Sequence, residues 1–231
     1  MNHTHSGAEF LLFEIAILLS AFQSMEILAL LTDSLFTVAN MPMSAGDVLG
    51  FASGLACVWL SARANIWNFP TGIFNCIILG LVFFQRRLFA DALLQIVFII
   101  LAGIGWWKWI AGRHAKEYSP TFHSSSREQA ILLGIATAVT LVLWRLLVWL
   151  NGASPPIDAL ITAMSLCAQW QLNRRQLSCW VWWIAVDVVS VPLYWSRELP
   201  LIAALYVIFL LICIQGWQRW RVLTLTGDGA A

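Results

Sequence analysis

Charge is the scarcest commodity in this chain: 13 Lys plus Arg and 12 Asp plus Glu are spread over 231 residues, against a hydrophobic content of 60%. So little charge cannot coat a water-soluble globule of this size, so a soluble enzyme or binding domain is excluded. Histidine is sparse as well, and His3, His5, His114 and His123 all fall in tails or loops. Together with the lack of any phosphate-loop or nucleophile pattern, this argues against an intramembrane enzyme. The five cysteines, Cys57, Cys76, Cys167, Cys179 and Cys213, form no CxxC pair, which leaves neither a zinc site nor a disulfide framework to expect. No cofactor or metal is called for. Basic residues stand singly or in pairs, with a net charge of +1, so no nucleic-acid surface is read.

What is present is a succession of apolar runs, with a mean hydropathy of +0.78. A bilayer core about 30 Å thick needs roughly 20 apolar residues per helix. Runs of that length predict an all-α integral membrane protein with an N-terminal helix at about 9–31 and seven core spans. The core spans fall at about 46–62, 66–85, 88–110, 128–150, 156–173, 178–196 and 199–221. The N-terminal segment carries Glu14, Gln23 and Glu26, so interfacial placement competes with crossing, which is favoured. It lacks the basic start and cleavage site of a signal peptide and is expected to be retained. Arg63, Lys108, Arg113, Lys116, Arg127, Arg174, Arg175, Arg219 and Arg221 fall at one side of the core, and Arg86, Arg87 and Arg197 at the other. Nine against three puts the C-terminus in the cytoplasm, because cytoplasmic loops retain positive charge.

The chain resembles itself when it is shifted to lay Trp59 over Trp170, an offset of 111. Arg63 then coincides with Arg174, and Gly105-Trp106-Trp107-Lys108-Trp109 with Gly216-Trp217-Gln218-Arg219-Trp220. Two three-helix units separated by one linker helix must point the same way, a parallel 3+1+3 arrangement. The predicted boundaries are residues 1–45 for the extra helix and connector, 46–110 for the first repeat, 111–155 for the loop and linker helix, 156–221 for the second repeat and 222–231 for a cytoplasmic tail. Repeats of this kind hold their ligand at the interface near mid-membrane.

An offset of 112 sets Asn75 over Asp187. A carboxylate at the centre of a span costs at least roughly 2.5 kcal/mol unless it meets a partner or a wet cavity, so Asp187 is the leading candidate site residue. Trp180, Trp183 and Asp187 share one helical face, and indoles beside an acid suit a planar or cationic ligand. The competing readings are an interfacial belt for the two indoles and an ion pair with Arg145 for Asp187. Asn68, Thr71 and Asn75 share a face of the second core span, and Gln95 falls opposite Tyr206 at the 111 offset. Each of these can equally be interhelical glue. Pro70-Thr71-Gly72 and Pro192 are candidate hinges.

The motif G-x-x-x-G-L-x-C-x-W-L from Gly50 to Leu60, G-x-x-N from Gly72 to Asn75, G-x-x-F-F-Q from Gly80 to Gln85 and L-L-Q from Leu93 to Gln95 resemble the PnuC family of bacterial nicotinamide riboside transporters. Trp180-Val181-Trp182-Trp183, followed by Asp187 and Ser190, is similar to the family's WxxW helix. Where some members carry Asn at the polar position of that helix, this chain has Asp187. The resemblance implies a fold like that of SWEET sugar transporters in a bacterial inner membrane. It also implies facilitated diffusion of nicotinamide riboside with trapping by a cytoplasmic kinase. The pyridinium would stack beside Trp180 or Trp183, with Asn75, Gln95 and Asp187 on the ribose hydroxyls and carboxamide. Membrane relatives suggest a homo-oligomer, with a trimer among the options. Alternatives are thiamine, riboflavin or a sugar as substrate, or a membrane receptor or scaffold that moves nothing.

Overall fold

The computed structural model describes residues 29, 31–38, 41–86, 88–114, 122–150 and 155–228. The N-terminal segment expected at 9–31 therefore lies outside the described residues except at its last positions. The connector that follows is an antiparallel hairpin, β1 Ser34–Val38 and β2 Met41–Ser44, where the sequence had suggested only a link to the helices. Its polar end becomes a helix cap. Ser44 accepts from Asp47 N, and Asp47 returns by accepting from Ser44 N, the reciprocal arrangement that satisfies orphan N–H groups at a helix start.

Seven helices follow: α1 Ala45–Ala62, α2 Asn68–Gln85, α3 Phe89–His114, α4 Ser126–Trp149, α5 Pro155–Asn173, α6 Cys179–Ser196 and α7 Pro200–Asp228. They fall where the apolar runs predicted, although α3 and α7 continue several residues farther at their C-terminal ends. Six are long and apolar enough to cross a membrane, and α5 is the exception. The reason is its position. It packs against α3, α4 and α6, and Ala159, Ala163, Ser165, Ala168, Gln171 and Asn173 on it are buried. A helix ringed by protein needs small residues that allow close approach rather than a lipid-facing surface. On α4 the opposite holds: only Leu132 and Ala136 are buried.

Neighbouring helices in sequence pack together from α1 to α3 and from α4 to α7, and these two sets meet through α1 against α7 and α3 against α5. The offset of 111 recurs throughout. α2 maps onto α6 at both ends, and the starts of α3 and α7 and the ends of α1 and α5 coincide. The turn bonds Asn65 N to Leu60 O and Gln176 N to Gln171 O are both 3.0 Å. Ala64 and Arg175, which occupy corresponding positions in those turns, both have positive φ, 51° and 56°. At the other end, Arg86 pairs with Asp47 at 2.6 Å and Arg197 with Asp158 at 2.9 Å, again related by the same shift. Each pair ties one helix, α1 or α5, to the turn between the next two.

The largest fully buried side chains cluster at the basic end. Phe69 meets Trp109 edge-to-face at 5.0 Å, Trp180 meets Trp220 edge-to-face at 5.4 Å, and Trp109 and Trp220 lie 6.3 Å apart with their planes tilted by 46°. All four are essentially fully buried, and such pairs add about 0.5–1.5 kcal/mol each beyond their buried area. Gly105 and Gly216 permit the approach. A Cβ on Gly216 would lie 2.7 Å from the Trp180 ring, and one on Gly105 would collide with Phe69 and Asn173. Trp220 Nε1 donates to Ser61 O at 3.2 Å, fastening α7 to α1. Gly216→Val is expected to destabilise the detergent-solubilised protein by about 1–3 kcal/mol through overpacking. Gly134→Ala, with open space around it, should leave the midpoint of thermal unfolding unchanged or slightly raised.

Candidate functional site

The face of α6 that carries Asp187 also carries Ser190 and Tyr194, at successive turns. It looks onto a matching row of Tyr206, Phe209 and Cys213 on α7. Asp187 is the ninth residue of the eighteen in α6, is 3% exposed, and has an Oδ2 with no hydrogen-bond partner. Its neighbour is the Cys213 thiol. Ser190 is fully buried, and its hydroxyl also makes no bond of good geometry, although the Tyr206 hydroxyl is turned toward it. One turn on, Tyr194 and Tyr206 stack at 5.1 Å with 21° between planes, and Tyr206 meets Phe209 edge-on at 5.8 Å.

Among the described residues, no cation balances the carboxylate. Arg145 is exposed on α4, and it makes none of the three ion pairs among the described residues. The competing expectation of an Asp187–Arg145 pair is not met. Orphaned polar atoms in so dense a setting call for an explanation in water, in a ligand or in a second conformation.

The other predicted residues separate into those aimed at this seam and those used elsewhere. Asn75 donates from Nδ2 to Gly50 O at 2.6 Å and to Ser53 Oγ at 3.0 Å. Gly54 on α1 keeps the space between Asn75 and Phe209 of α7, which brings Asn75 to the edge of the aromatic row. Gln95 lies half-buried with its stem beside Gly80. Asn68 is buried and donates to Asn65 O at 2.6 Å, while Thr71 returns its hydroxyl to Trp67 O at 2.8 Å. Both close local turns. Trp180 is enclosed by Trp220 and Gly216, and Trp183 is half-buried against the same cluster. Because the 111 offset runs through both sets of helices, Asp187 corresponds to Cys76 and Asn75 to Val186. The apparent match of Asn75 with Asp187 at 112 is one position, about 100° of helix, out of phase.

Tyr194, Phe209 and Cys213 were not singled out from sequence, nor were Asp158 and Arg197. Their signal was available in two forms: the three-and-four spacing on α6 and α7, and the recurrence of an acid and an arginine at the 111 offset. Arg197 Nη2 reaches both Asp158 oxygens at 2.9 and 3.0 Å and lies 5.9 Å from the Tyr194 ring. Asp91 of α3 faces the same pair. A shallow apolar groove of about 440 Å³ between α5 and α6, lined by Ile157, Val188, Val189, Pro192, Leu193 and Ser196, includes none of the predicted site residues.

Membrane-crossing helices around an unpaired mid-span carboxylate, with stacked aromatic rings toward one end, are an arrangement that suits a polytopic membrane transporter. The family model described as nicotinamide mononucleotide transporter matches residues 44–222, and the chain belongs to that family. It is 23% identical to the nicotinamide riboside transporter PnuC of Escherichia coli (strain K12), a match that takes in 79% of this chain and 90% of the relative. It is 24% identical to the riboflavin/roseoflavin transporter RibM of Streptomyces davaonensis, over 82% of this chain and 91% of that one. The solved crystal structure of the vitamin B3 transporter PnuC superposes with a TM-score of 0.63 at 20% identity, covering 97% of this chain and 94% of the other. That likeness establishes the shared fold.

Trp180→Ala is expected to cost about 3–5 kcal/mol of stability, as for other buried aromatics, visible as a lowered unfolding midpoint with or without substrate. Phe209→Leu, at the edge of the aromatic row, should leave the midpoint nearly unchanged.

Proposed function

We propose that this chain carries nicotinamide riboside into bacteria by facilitated diffusion, with a cytoplasmic kinase trapping the product. The observation that carries the reading is the buried Asp187 carboxylate, which no cation among the described residues balances, set beside stacked aromatic rings in a member of this family. A pyridinium nucleoside supplies what that seam lacks: a delocalised positive charge, a flat ring and hydroxyls that donate to a carboxylate. Asp187 and Ser190 would meet the ribose and the charge, Asn75 and Gln95 the hydroxyls and carboxamide, and Trp183 or Tyr206 the ring. Trp180, Asn68 and Thr71 would support the walls.

The proposed architecture is a parallel 3+1+3 arrangement, SWEET-like, with α1–α3 and α5–α7 as the repeats and α4 as the linker. It is supported by the recurrence of helix ends, turns and ion pairs at the 111 offset, and by contacts that exchange under it, since α1 against α7 becomes α5 against α3. Alternating access would rock one unit on the other about the Trp109–Trp220 contact, and the excess of basic residues at that end would place it and the C-terminus in the cytoplasm. Assembly into a homo-oligomer belongs to the same proposal. The RibM likeness favours riboflavin as the second candidate substrate.

Purified protein in proteoliposomes should take up labelled nicotinamide riboside saturably without an ion gradient or nucleotide triphosphate. Asp187→Asn should raise the unfolding midpoint, because it removes a carboxylate that costs at least roughly 2.5 kcal/mol in mid-span, while uptake falls by about tenfold or more for loss of a charged contact. Uptake inhibited by riboflavin and indifferent to nicotinamide riboside would move the assignment to the second substrate. Flux unaffected by Asp187→Asn would remove this residue from the site.

A further inference from the structure

At the end of the bundle away from the aromatic joint, each set of helices carries one ion pair, and the two pairs differ. In the first set the Asp47 Oδ2 is shared three ways, accepting from Ser44 N at 3.0 Å, Ser44 Oγ at 2.8 Å and Arg86 Nη2 at 2.6 Å. In the second set Arg197 reaches both Asp158 oxygens with the one Nη2 nitrogen, at 3.0 and 2.9 Å. Its Nε is enclosed and has no acceptor among the described residues. A guanidinium holds its donors in a rigid fork, so binding Asp158 in this way strands a donor inside the protein.

A second carboxylate stands across from it. Asp91 is near the start of α3 and Asp158 near the start of α5, and these helices run in the same direction because one crossing separates them. Their relative height follows from the far end, where Asn173 of α5 donates to Leu101 O of α3 at 2.7 Å and lies against Gly105. Asp91 precedes Leu101 by ten residues and Gly105 by fourteen, and Asp158 precedes Asn173 by fifteen. At 1.5 Å per residue the acids lie about 15–21 Å and about 22 Å from that contact, level to within about one turn. At 100° per residue Asp91 lies about 40° from Gly105 around α3, and Asp158 about 60° from Asn173 around α5, which turns both acids toward the α3–α5 interface. Asp91 makes none of the three ion pairs among the described residues. It nevertheless lies in the field of Asp158 and Arg197, and all three act on Tyr194, the last ring of the row that leads to Asp187. At the 111 offset the position of Asp91 is taken by Ile202, so the first set's pair has no such counterpart.

We infer that Asp91 and Arg197 are the gating residues of this end: Asp91, from one set of helices, takes Arg197 Nε while Asp158, from the other, keeps Nη2, and the closed latch seals the passage above Tyr194. In the arrangement described here the latch is open. The inference rests on the proposed rocking of the two units but not on the identity of the substrate. Asp91 stands eighteen residues before Trp109, about 27 Å along α3, so a tilt of about 10° at the aromatic joint carries it about 5 Å. That displacement converts electrostatic reach into a charge-assisted hydrogen bond. With the latch open, two carboxylates face one guanidinium at the mouth, a net negative charge that draws cations in.

Hydrogen exchange of the full-length protein in phosphatidylcholine nanodiscs, read by mass spectrometry without substrate, tests the latch, since exchange samples every populated form. The reporters are the amides of Arg197 and Ala203, bonded to Leu193 O at 3.2 Å and Leu199 O at 3.0 Å, in the set of helices that lacks Asp91. Asp91→Asn should raise their exchange about tenfold, for one charge-assisted bond lost. Asp91→Glu should match the wild type, and amides at the Trp109–Trp220 end should not respond. On an Arg197→Gln background Asp91→Asn should change nothing further, the non-additivity of groups that act on each other. Faster exchange confined to Ala92, on α3 itself, would reduce Asp91 to a favourable charge in the first turn of its own helix and overturn the latch, as would a response that persists with Arg197→Gln. If Asp91→Asn lowers the unfolding midpoint, wild type at low and high salt takes its place. Asp91 is exposed, so screening should speed exchange at Arg197 and Ala203 in the wild type and not in Arg197→Gln; equal salt effects in both refute the latch. No substrate enters the measurement, so a failed uptake assay counts against the substrate and a failed exchange test against the latch.

Discussion

The meeting of Trp109 and Trp220 is the contact on which the rest of the molecule turns. Each indole is seated edge-on against an aromatic of its own set of helices, Phe69 for one and Trp180 for the other, and each is admitted by a glycine one helical turn earlier, Gly105 and Gly216. Lipid gives helices no hydrophobic reason to associate, so close van der Waals packing and a few hydrogen bonds must do it. Here both are concentrated at one end of the bundle. The opposite end is held by separate ion pairs within each set of helices, leaving the seam between them near Asp187 free of such ties among the described residues.

That distribution suits the proposed rocking of one unit on the other. An aromatic joint at the basic end, with polar groups left unsatisfied above it, would let the two sets of helices tilt without rebuilding either one. Asp187, Ser190 and Trp109 Nε1 are among the groups whose hydrogen bonds are missing. In a well-packed interior each omission is destabilising. The recurrence at the 111 offset breaks at two buried polar positions of the second set. Cys76 stands where the second set has Asp187, and Ala64 where it has Arg175.

Much of the fold was legible in the chain because the bilayer imposes a length and a polarity on every span. The seven core helices lie within a few residues of their apolar runs, and the Trp-and-Gly signatures at the ends of α3 and α7 revealed the offset that the turns and ion pairs also follow. The partial failure at α5 has the same physical origin: hydropathy measures exposure to lipid, and a helix surrounded by protein escapes it. Residues 34–44 were read as a mere connector because so short a strand carries too little periodicity to separate from a link.

The sequence alone determined the solvent, the number and order of the helices, and the presence of a carboxylate too costly to be incidental, since these follow from the composition of contiguous segments. Only the tertiary structure decided which groups look at each other. Trp180 is walled in while Trp183 is half-open, Asn68 and Thr71 are used up by their own turns, and Tyr194 stacks on Tyr206. A helix presents several faces, and which face is covered depends on partners far away in the chain, so residue type and spacing cannot settle whether a polar side chain meets a ligand, a neighbour or its own backbone.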